Sequence, residues 1–280
     1  MKNTINIKGS YYIVNGEEKI SETETIVVDS EYLIYEVIRV IDGKPLFLSE
    51  HIIRLLKSTG LKYSHVSLKK EELIEKIQLS INSLCKKNNI LNGNVQILLE
   101  INNDEVKSYI YFIEHYYPEK QLYNEGVSTV CVHIERDDPN AKVLNLEYKE
   151  LIKKILKDNN AFEAILVNKD EEITEGSKSN IFFVKGESFI TPKGEKVLEG
   201  ITRMKIIEII KRKGYGFEER IIKVDELKEM DGAFISGTSP KVLPIKKIGD
   251  LSFESANNCM INDLMRYYEL ECEEDIRQLK

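Results

Sequence analysis

The sequence predicts two lobes, an α+β lobe followed by a mixed α/β lobe, on three observations. The chain has 280 residues, more than the roughly 100–200 over which a single core usually extends. Short β-rich runs alternate with stretches of helical period along its whole length. The proline- and charge-bearing stretch Tyr116-Tyr117-Pro118-Glu119-Lys120 breaks the pattern. The lobes are read as residues 1–116 and 126–280, joined by a linker at 117–125.

In the first lobe, Ser10-Tyr11-Tyr12-Ile13-Val14 runs into Asn15-Gly16, a dipeptide that favours a tight hairpin. Further strands are expected at 25–28 and 33–40. From Ser49 the apolar period becomes helical, with Ile52, Ile53, Leu55 and Leu56 in one helix and Leu73, Ile74, Ile77, Ile81 and Leu84 in a second. The runs 95–99 and 108–113 flank Asn102-Asn103-Asp104, a hairpin pattern closing an antiparallel sheet. The second lobe starts near Gly126 with a strand at 127–134. A helix at 148–157, strands at 164–167 and 181–184, a helix at 201–213, strands at 219–224 and 233–236 and a helix at 256–270 follow.

Hydrophobic residues make up 42% and charged residues 31%, which excludes a disordered or collagen-like chain. With net charge −7 there is no basic field to gather nucleic acid or an anionic membrane, so any bound anion must be held locally. Cys85, Cys131, Cys259 and Cys272 form no C-x-x-C pair and read as reduced thiols of a cytoplasmic protein. Neither a signal peptide nor a membrane-length apolar run is recognisable. The acidic stretch Glu269 to Asp275 reads as a solvated helix end.

Several chemistries lack support. Gly214-Tyr215-Gly216 is only a fragment of a dinucleotide fingerprint, and there is no P-loop, H-E-x-x-H or G-x-S-x-G. His51, His65, His115 and His133 are scattered, His133 reads as structural, and no metal site is expected.

Four segments together suit a phosphorylated aromatic aldehyde. Ala141-Lys142-Val143-Leu144-Asn145 sets a lysine between a strand and a helix. Ile173-Thr174-Glu175-Gly176-Ser177-Lys178-Ser179-Asn180 places a carboxylate at a glycine turn. Leu198-Glu199-Gly200-Ile201-Thr202-Arg203 opens a helix whose bare N–H groups and positive end suit an anion. Ile235-Ser236-Gly237-Thr238-Ser239-Pro240 ends a strand in small hydroxyl residues, a second source of phosphate donors.

In this order and spacing, with Tyr35-Glu36-Val37-Ile38-Arg39-Val40 and the H-x-x-R-L stretch His51 to Leu55 upstream, the chain resembles the fold-type IV pyridoxal-phosphate family from about Ser10 to Asp250. That family includes branched-chain aminotransferases, D-amino acid aminotransferases and aminodeoxychorismate lyases. The resemblance implies a two-domain, D-amino acid aminotransferase-like architecture and pyridoxal 5'-phosphate as cofactor. Lys142 would be the Schiff-base lysine and proton carrier, and Glu175 would keep the pyridine nitrogen protonated. Arg54, the N–H groups of Ile201 and Thr202, and Thr238 would hold the phosphate, and Tyr35 would face the substrate. The activity implied is amino transfer between a branched-chain or D-type amino acid and a 2-oxo acid, in a homodimer. A lyase on the same scaffold and a non-catalytic binding relative are the alternatives.

Three places depart from the family pattern. Asn145-Leu146 stands where many branched-chain members have Asn-Tyr, which is closer to the D-amino acid aminotransferases. The stretch Leu98 to Asp104 and Lys107 contains no arginine, whereas those enzymes clamp the substrate carboxylate there with an arginine and a histidine. Asp29-Ser30-Glu31-Tyr32 replaces the family's G-D-G turn. The substrate wall of the first lobe is therefore the most individual part of the chain.

Overall fold

The computed structural model describes residues 2–29, 32–102, 105–136 and 138–279. The chain forms two compact units, one of Met1–Tyr116, Ala141–Asn145 and Cys272–Lys280, the other of Tyr117–Asn140 and Leu146–Glu271.

Unit 1 contains β1 (Lys2–Asn6), β2 (Lys8–Val14), β3 (Glu17–Ile20), β4 (Thr25–Asp29), β5 (Leu33–Ile41), β6 (Lys44–Pro45), α1 (Leu48–Lys62), α2 (Lys70–Asn88), β7 (Gly93–Asn102) and β8 (Glu105–Ile113). Among the described residues, β1 and β4 pair alone and the others form a six-stranded sheet in the order β3-β2-β8-β7-β5-β6. Asn15 (φ 51°) and Gly16 (φ 88°) both turn left-handed between β2 and β3, as a two-residue hairpin requires. One face of the sheet, carrying Ile34, Ile38, Val95, Ile97 and Leu99, packs with Ile52 and Leu55 of α1 and Ile77, Ile81 and Leu84 of α2. Asn103 and Asp104 of the expected hairpin, and Ser30 and Glu31 of the altered family turn, lie outside the described residues.

Lys142, which the sequence reading sets in the second lobe, packs in unit 1. The reason is backbone pairing. Tyr35 N–H donates to Lys142 O (3.1 Å), Leu144 N–H donates to Leu33 O (2.8 Å) and Val143 bridges Ile34 antiparallel. The segment thus borders the start of β5 while β6 pairs with its end.

Unit 2 contains α3 (Lys120–Glu125), which occupies most of the expected linker, then β9 (Val127–His133), α4 (Leu146–Asp158), β10 (Glu163–Val167), β11 (Ile173–Gly176), β12 (Asn180–Lys185), β13 (Ser188–Thr191), α5 (Ile201–Lys213), β14 (Gly216–Glu219), β15 (Gly232–Gly237), β16 (Lys241–Ile248), β17 (Leu251–Ser252) and the start of α6 (Cys259–Gln278). Among the described residues its nine-stranded sheet runs β11-β10-β9-β16-β15-β12-β13-β14, with β17 on β16. Pro244 sits inside β16, opposite Phe234, and the β16–β9 pairing shifts register just beyond it, between Ile245 and Lys247. A ring nitrogen that cannot donate is tolerated at such an irregularity.

The strand expected at 219–224 is displaced to Gly216–Glu219. Gly214 (φ 76°) ends α5, and the chain enters β14 almost at once, pairing with the four residues of β13. After it, the Glu226 carboxylate accepts the Lys223 N–H (2.8 Å) and starts a 3-10 turn at Val224–Glu229. The last helix likewise begins later than expected, because Asn258 Oδ1 caps it by accepting the N–H groups of Met260 (3.0 Å) and Ile261 (3.2 Å).

Candidate active site

In unit 1 a strand and a helix present one connected set of side chains. Alternation along β5 sends Tyr35 to one face of the sheet and Glu36, with Ile34 and Ile38, towards the helices. There Glu36, 0% exposed, receives Arg54 Nε at Oε1 (2.7 Å) and Arg54 Nη2 at Oε2 (2.6 Å), a two-pronged pair, while His51 Nδ1 lies 2.8 Å from Oε2. Burial alone would raise the Glu36 pKa, but the Arg54 guanidinium and the His51 bond outweigh it and hold the carboxyl at about 2. Burial lowers the pKa of His51, and the positive charges of Arg54 and Lys142 add to that against the pull of Glu36, so the ring is held towards its neutral form. Because an ionised carboxylate only accepts, Nδ1 carries the proton.

His51, Arg54 and Ser58 lie on one face of α1, at i, i+3 and i+7. Ser58 Oγ accepts the backbone N–H of Lys142 (3.1 Å). The Lys142 Nζ in turn lies 4.7 Å from the centre of the Tyr35 ring, on the other face of β5. Thus Tyr35, Arg54 and Lys142, singled out in the sequence, are brought together through β5 and α1.

Unit 2 gathers the others around Asn180. Glu175, 3% exposed, is the last residue but one of β11 and accepts Arg136 Nη1 at Oε1 (2.9 Å) and the Leu198 N–H at Oε2 (3.1 Å). Asn180 Nδ2 donates to Leu198 O (2.8 Å) and stands 3.5 Å from Glu175 Oε2. Gly200 precedes α5, and a Cβ there would collide with Asn180 Oδ1. Ile201 and Thr202 form the first turn of α5, whose leading N–H groups lack helical acceptors. Thr202 Oγ1 meets Tyr268 OH at 3.2 Å. Across β12–β15, Asn180 pairs with Ser236, and Thr238 follows the end of β15 at Gly237.

These donor sets fit a phosphorylated aldehyde with a ring nitrogen. They comprise a buried guanidinium, an amine, a carboxylate that a guanidinium keeps company with, a helix start and small hydroxyls. Ser236 Oγ is moreover buried without a partner among the described residues. Independently, the family model for class IV amino-transferases matches residues 33–248.

The chain belongs to the class IV aminotransferases. As a member it is an enzyme that exchanges an amino group between an amino acid and a 2-oxo acid with pyridoxal phosphate as cofactor. It is 33% identical to a D-alanine aminotransferase of Bacillus licheniformis over 231 residues, 77% of this chain and 78% of the relative. With a D-alanine aminotransferase of Staphylococcus haemolyticus it shares 32% over 250 residues, 85% and 86% of the two chains. Its fold matches the branched-chain amino acid aminotransferase of Escherichia coli (TM-score 0.81, 22% identity, 95% and 96% covered). It also matches a second branched-chain amino acid aminotransferase, solved with pyridoxamine 5'-phosphate (TM-score 0.82, 22% identity, 96% of each chain covered).

The supports behind these residues of the aminotransferase belong to no motif in its sequence. Glu36 anchors Arg54, and Arg136 faces Glu175. Glu163, 0% exposed on β10, accepts from Ser177 Oγ (2.5 Å), Ser179 Oγ (2.9 Å) and the Ala164 N–H (2.9 Å), tying down the turn after Glu175. The signal was present at Glu36, a carboxylate inside a largely apolar strand, and at Glu163, a carboxylate that opens one. Where an arginine was sought, the buried Glu100 accepts the Asp29 N–H (2.5 Å) and Tyr109 OH (2.6 Å).

Proposed function

We propose that this aminotransferase acts on D-amino acids of the D-alanine type, as a cytoplasmic homodimer, with Lys142 as the amine that carries the cofactor. The observation that supports the substrate class is the likeness to D-alanine aminotransferases, 33% identity over three quarters of the chain. Asn145-Leu146 after the lysine leans the same way.

When bound, pyridoxal phosphate supplies an aldehyde for amine exchange and an electron sink for the charge left at Cα. Lys142 Nζ would take the proton from Cα and return it at the exchanged carbon. Its perch over the Tyr35 ring restrains the amine, and Ser58 restrains its backbone. Arg54, already oriented by Glu36, would meet the phosphate together with the first N–H groups of α5 at Ile201 and Thr202 and the Thr238 turn. Glu175, fixed by Arg136 and Leu198, would hold a proton on the ring nitrogen.

The test is spectroscopic. Purified protein loaded with the cofactor is offered D-alanine, L-alanine and L-leucine in turn. Conversion of the cofactor to its amine form by D-alanine alone is expected, with borohydride trapping the cofactor on Lys142 in the native chain and not in Lys142→Ala. Conversion by L-leucine and not D-alanine would reassign the substrate. Pyruvate release from aminodeoxychorismate without an amino acceptor would indicate the lyase. Light scattering reads the dimer.

A further inference from the structure

The chain passes from β4 to β5 without a glycine, and side chains hold both shoulders of the passage. On the first, Asp29 N–H donates to Glu100 Oε1 (2.5 Å) and Asn102 Nδ2 donates to Asp29 O (2.9 Å), both from β7. On the second, one group serves both backbone atoms of Tyr32. Tyr63 OH donates to Tyr32 O (2.9 Å) and accepts the Tyr32 N–H (3.2 Å). A phenol has one proton to give and lone pairs to receive with, so the two bonds do not compete. The two rings also meet edge to face, with centres 6.2 Å apart at 74°.

Tyr63 is itself fixed. It caps the end of α1 at φ −136°, donates its N–H to Thr59 O (2.7 Å) and accepts the Val66 N–H (3.0 Å) at its own carbonyl.

Its grip falls next to Lys142. Tyr32 precedes the β5–β7 ladder, whose first pair is Leu33 with Glu100, so the ladder does not reach it. The residues that follow carry the Lys142 segment, since Leu33 O accepts the Leu144 N–H (2.8 Å) and Tyr35 N–H donates to Lys142 O (3.1 Å). A further hold, Ser58 Oγ on the Lys142 N–H (3.1 Å), comes from α1. Helix α1 therefore reaches Lys142 twice, directly through Ser58 and, one residue beyond its end, through Tyr63 and the entry to β5. Tyr35, whose ring centre lies 4.7 Å from Lys142 Nζ, belongs to the same short edge. Such an amine is sensitive to its support, because a displacement of about 1 Å can slow a reaction roughly a hundredfold.

We infer that Tyr63 is a positioning residue for Lys142, its hydroxyl fixing the entry to the strand edge on which the lysine's backbone is paired. The inference rests on Lys142 being the amine that carries the cofactor.

The test uses the full chain and phosphate-free pyridoxal, an aldehyde that needs no phosphate grip. Borohydride fixes it on the amine that captures it, and peptide mapping locates that amine. Tyr63→Phe deletes the hydroxyl and keeps the ring, and is expected to slow capture at Lys142 about tenfold. Amide exchange supplies a readout that general loosening would not reproduce. The Tyr35 and Leu144 N–H groups should exchange about tenfold faster in Tyr63→Phe, with the amides of the β7–β8 pairing unchanged. Thr59→Ala is the control. It removes a buried hydroxyl bond to Leu55 O (2.9 Å) from the same helix and should capture pyridoxal at the native rate. Native-rate capture in Tyr63→Phe, equal slowing in Thr59→Ala, or faster exchange throughout the sheet overturns the inference. The two levels separate in the native chain. Capture at Lys142 there with Tyr63→Phe unchanged refutes the positioning role alone, whereas no capture at Lys142 refutes the reading on which it rests.

Discussion

Replacing Glu36 by Gln should be the most revealing single change in unit 1. The carboxylate is fully buried and receives both prongs of Arg54 and the His51 ring. Its pKa, held at about 2 against an ordinary 4.5, corresponds to roughly 3 kcal/mol of preference for the ionised form, at about 1.36 kcal/mol per tenfold change in ionisation. Removing one partner of a buried pair costs about 3–5 kcal/mol by general experience, because the other charge stays behind uncompensated. The two routes agree near 3 kcal/mol, which for a chain of this size lowers the melting temperature by roughly 6–12 °C. The same change frees the Arg54 fork from its orientation, so the pyridoxal-phosphate Kd should rise about tenfold while that of phosphate-free pyridoxal stays put. Thermal unfolding of the apoprotein and fluorescence titration with the two aldehydes read both effects. Glu36→Leu combined with Arg54→Met should recover much of the stability, since the charge is removed with its partner, yet not the cofactor affinity. Glu36→Gln protein that melts within about 2 °C of the native chain and binds the cofactor equally well would refute the anchoring role.

Stability should also fall with acid in two stages. His51 and Glu36 both have lowered pKa values in the folded state, so for each the unfolded chain binds protons first. Stability is therefore complete above about pH 6.5, declines below it as unfolded His51 takes up a proton, and declines further from pH 4.5 towards 2 through Glu36. A melting temperature that rises between pH 7 and pH 5 contradicts this, and His51→Gln should remove the first stage. Gly200→Ala should cost about 1–3 kcal/mol and weaken the cofactor, because its Cβ displaces Asn180, which is held by Leu198 O. Chemical denaturation with cofactor titration measures it. Glu163→Gln should cost about 1–3 kcal/mol by breaking serine and backbone bonds at 0% exposure, whereas Lys19→Ala, whose partner Glu17 is an exposed neighbour, should stay within about 0.5 kcal/mol.

Much of this fold is legible from periodicity because the core depends on it. The alternation of Leu33 to Val40 and the spacing of Leu73 to Leu84 mark β5 and α2 directly, and residues 201–213 are helical as expected. Other elements are defined by pairing. β14 begins where β13 offers four residues of edge, and Pro244 sits in a strand because a register shift accommodates it. At the site, Arg54 and Glu175 stand out only through the resemblance to a known family, and their pairing with Glu36 and Arg136 does not stand out at all. Nothing local joins Glu36 to Arg54 across 18 positions, or Arg136 to Glu175 across 39. The membership of Lys142 in unit 1 follows from backbone bonds to residues more than a hundred positions earlier, which no window along the chain contains.

The arrangement explains how an acidic chain with net charge −7 can hold cations where chemistry needs them. Arg54 is kept buried because Glu36 neutralises it from behind, and the neutral His51 adds a hydrogen bond without adding charge. Lys142 stands instead over an aromatic face, which attracts a cation without the directional fork that fixes Arg54. In the roles proposed for Arg54 and Lys142, a fixed guanidinium would suit a phosphate that must stay, and an amine on a non-directional seat would suit a proton that must move. Both are placed by the same two elements, since Tyr35 and Glu36 are neighbours on opposite faces of β5 and Arg54 and Ser58 share a face of α1. A change in the packing of β5 on α1 would therefore disturb Arg54 and Lys142 together.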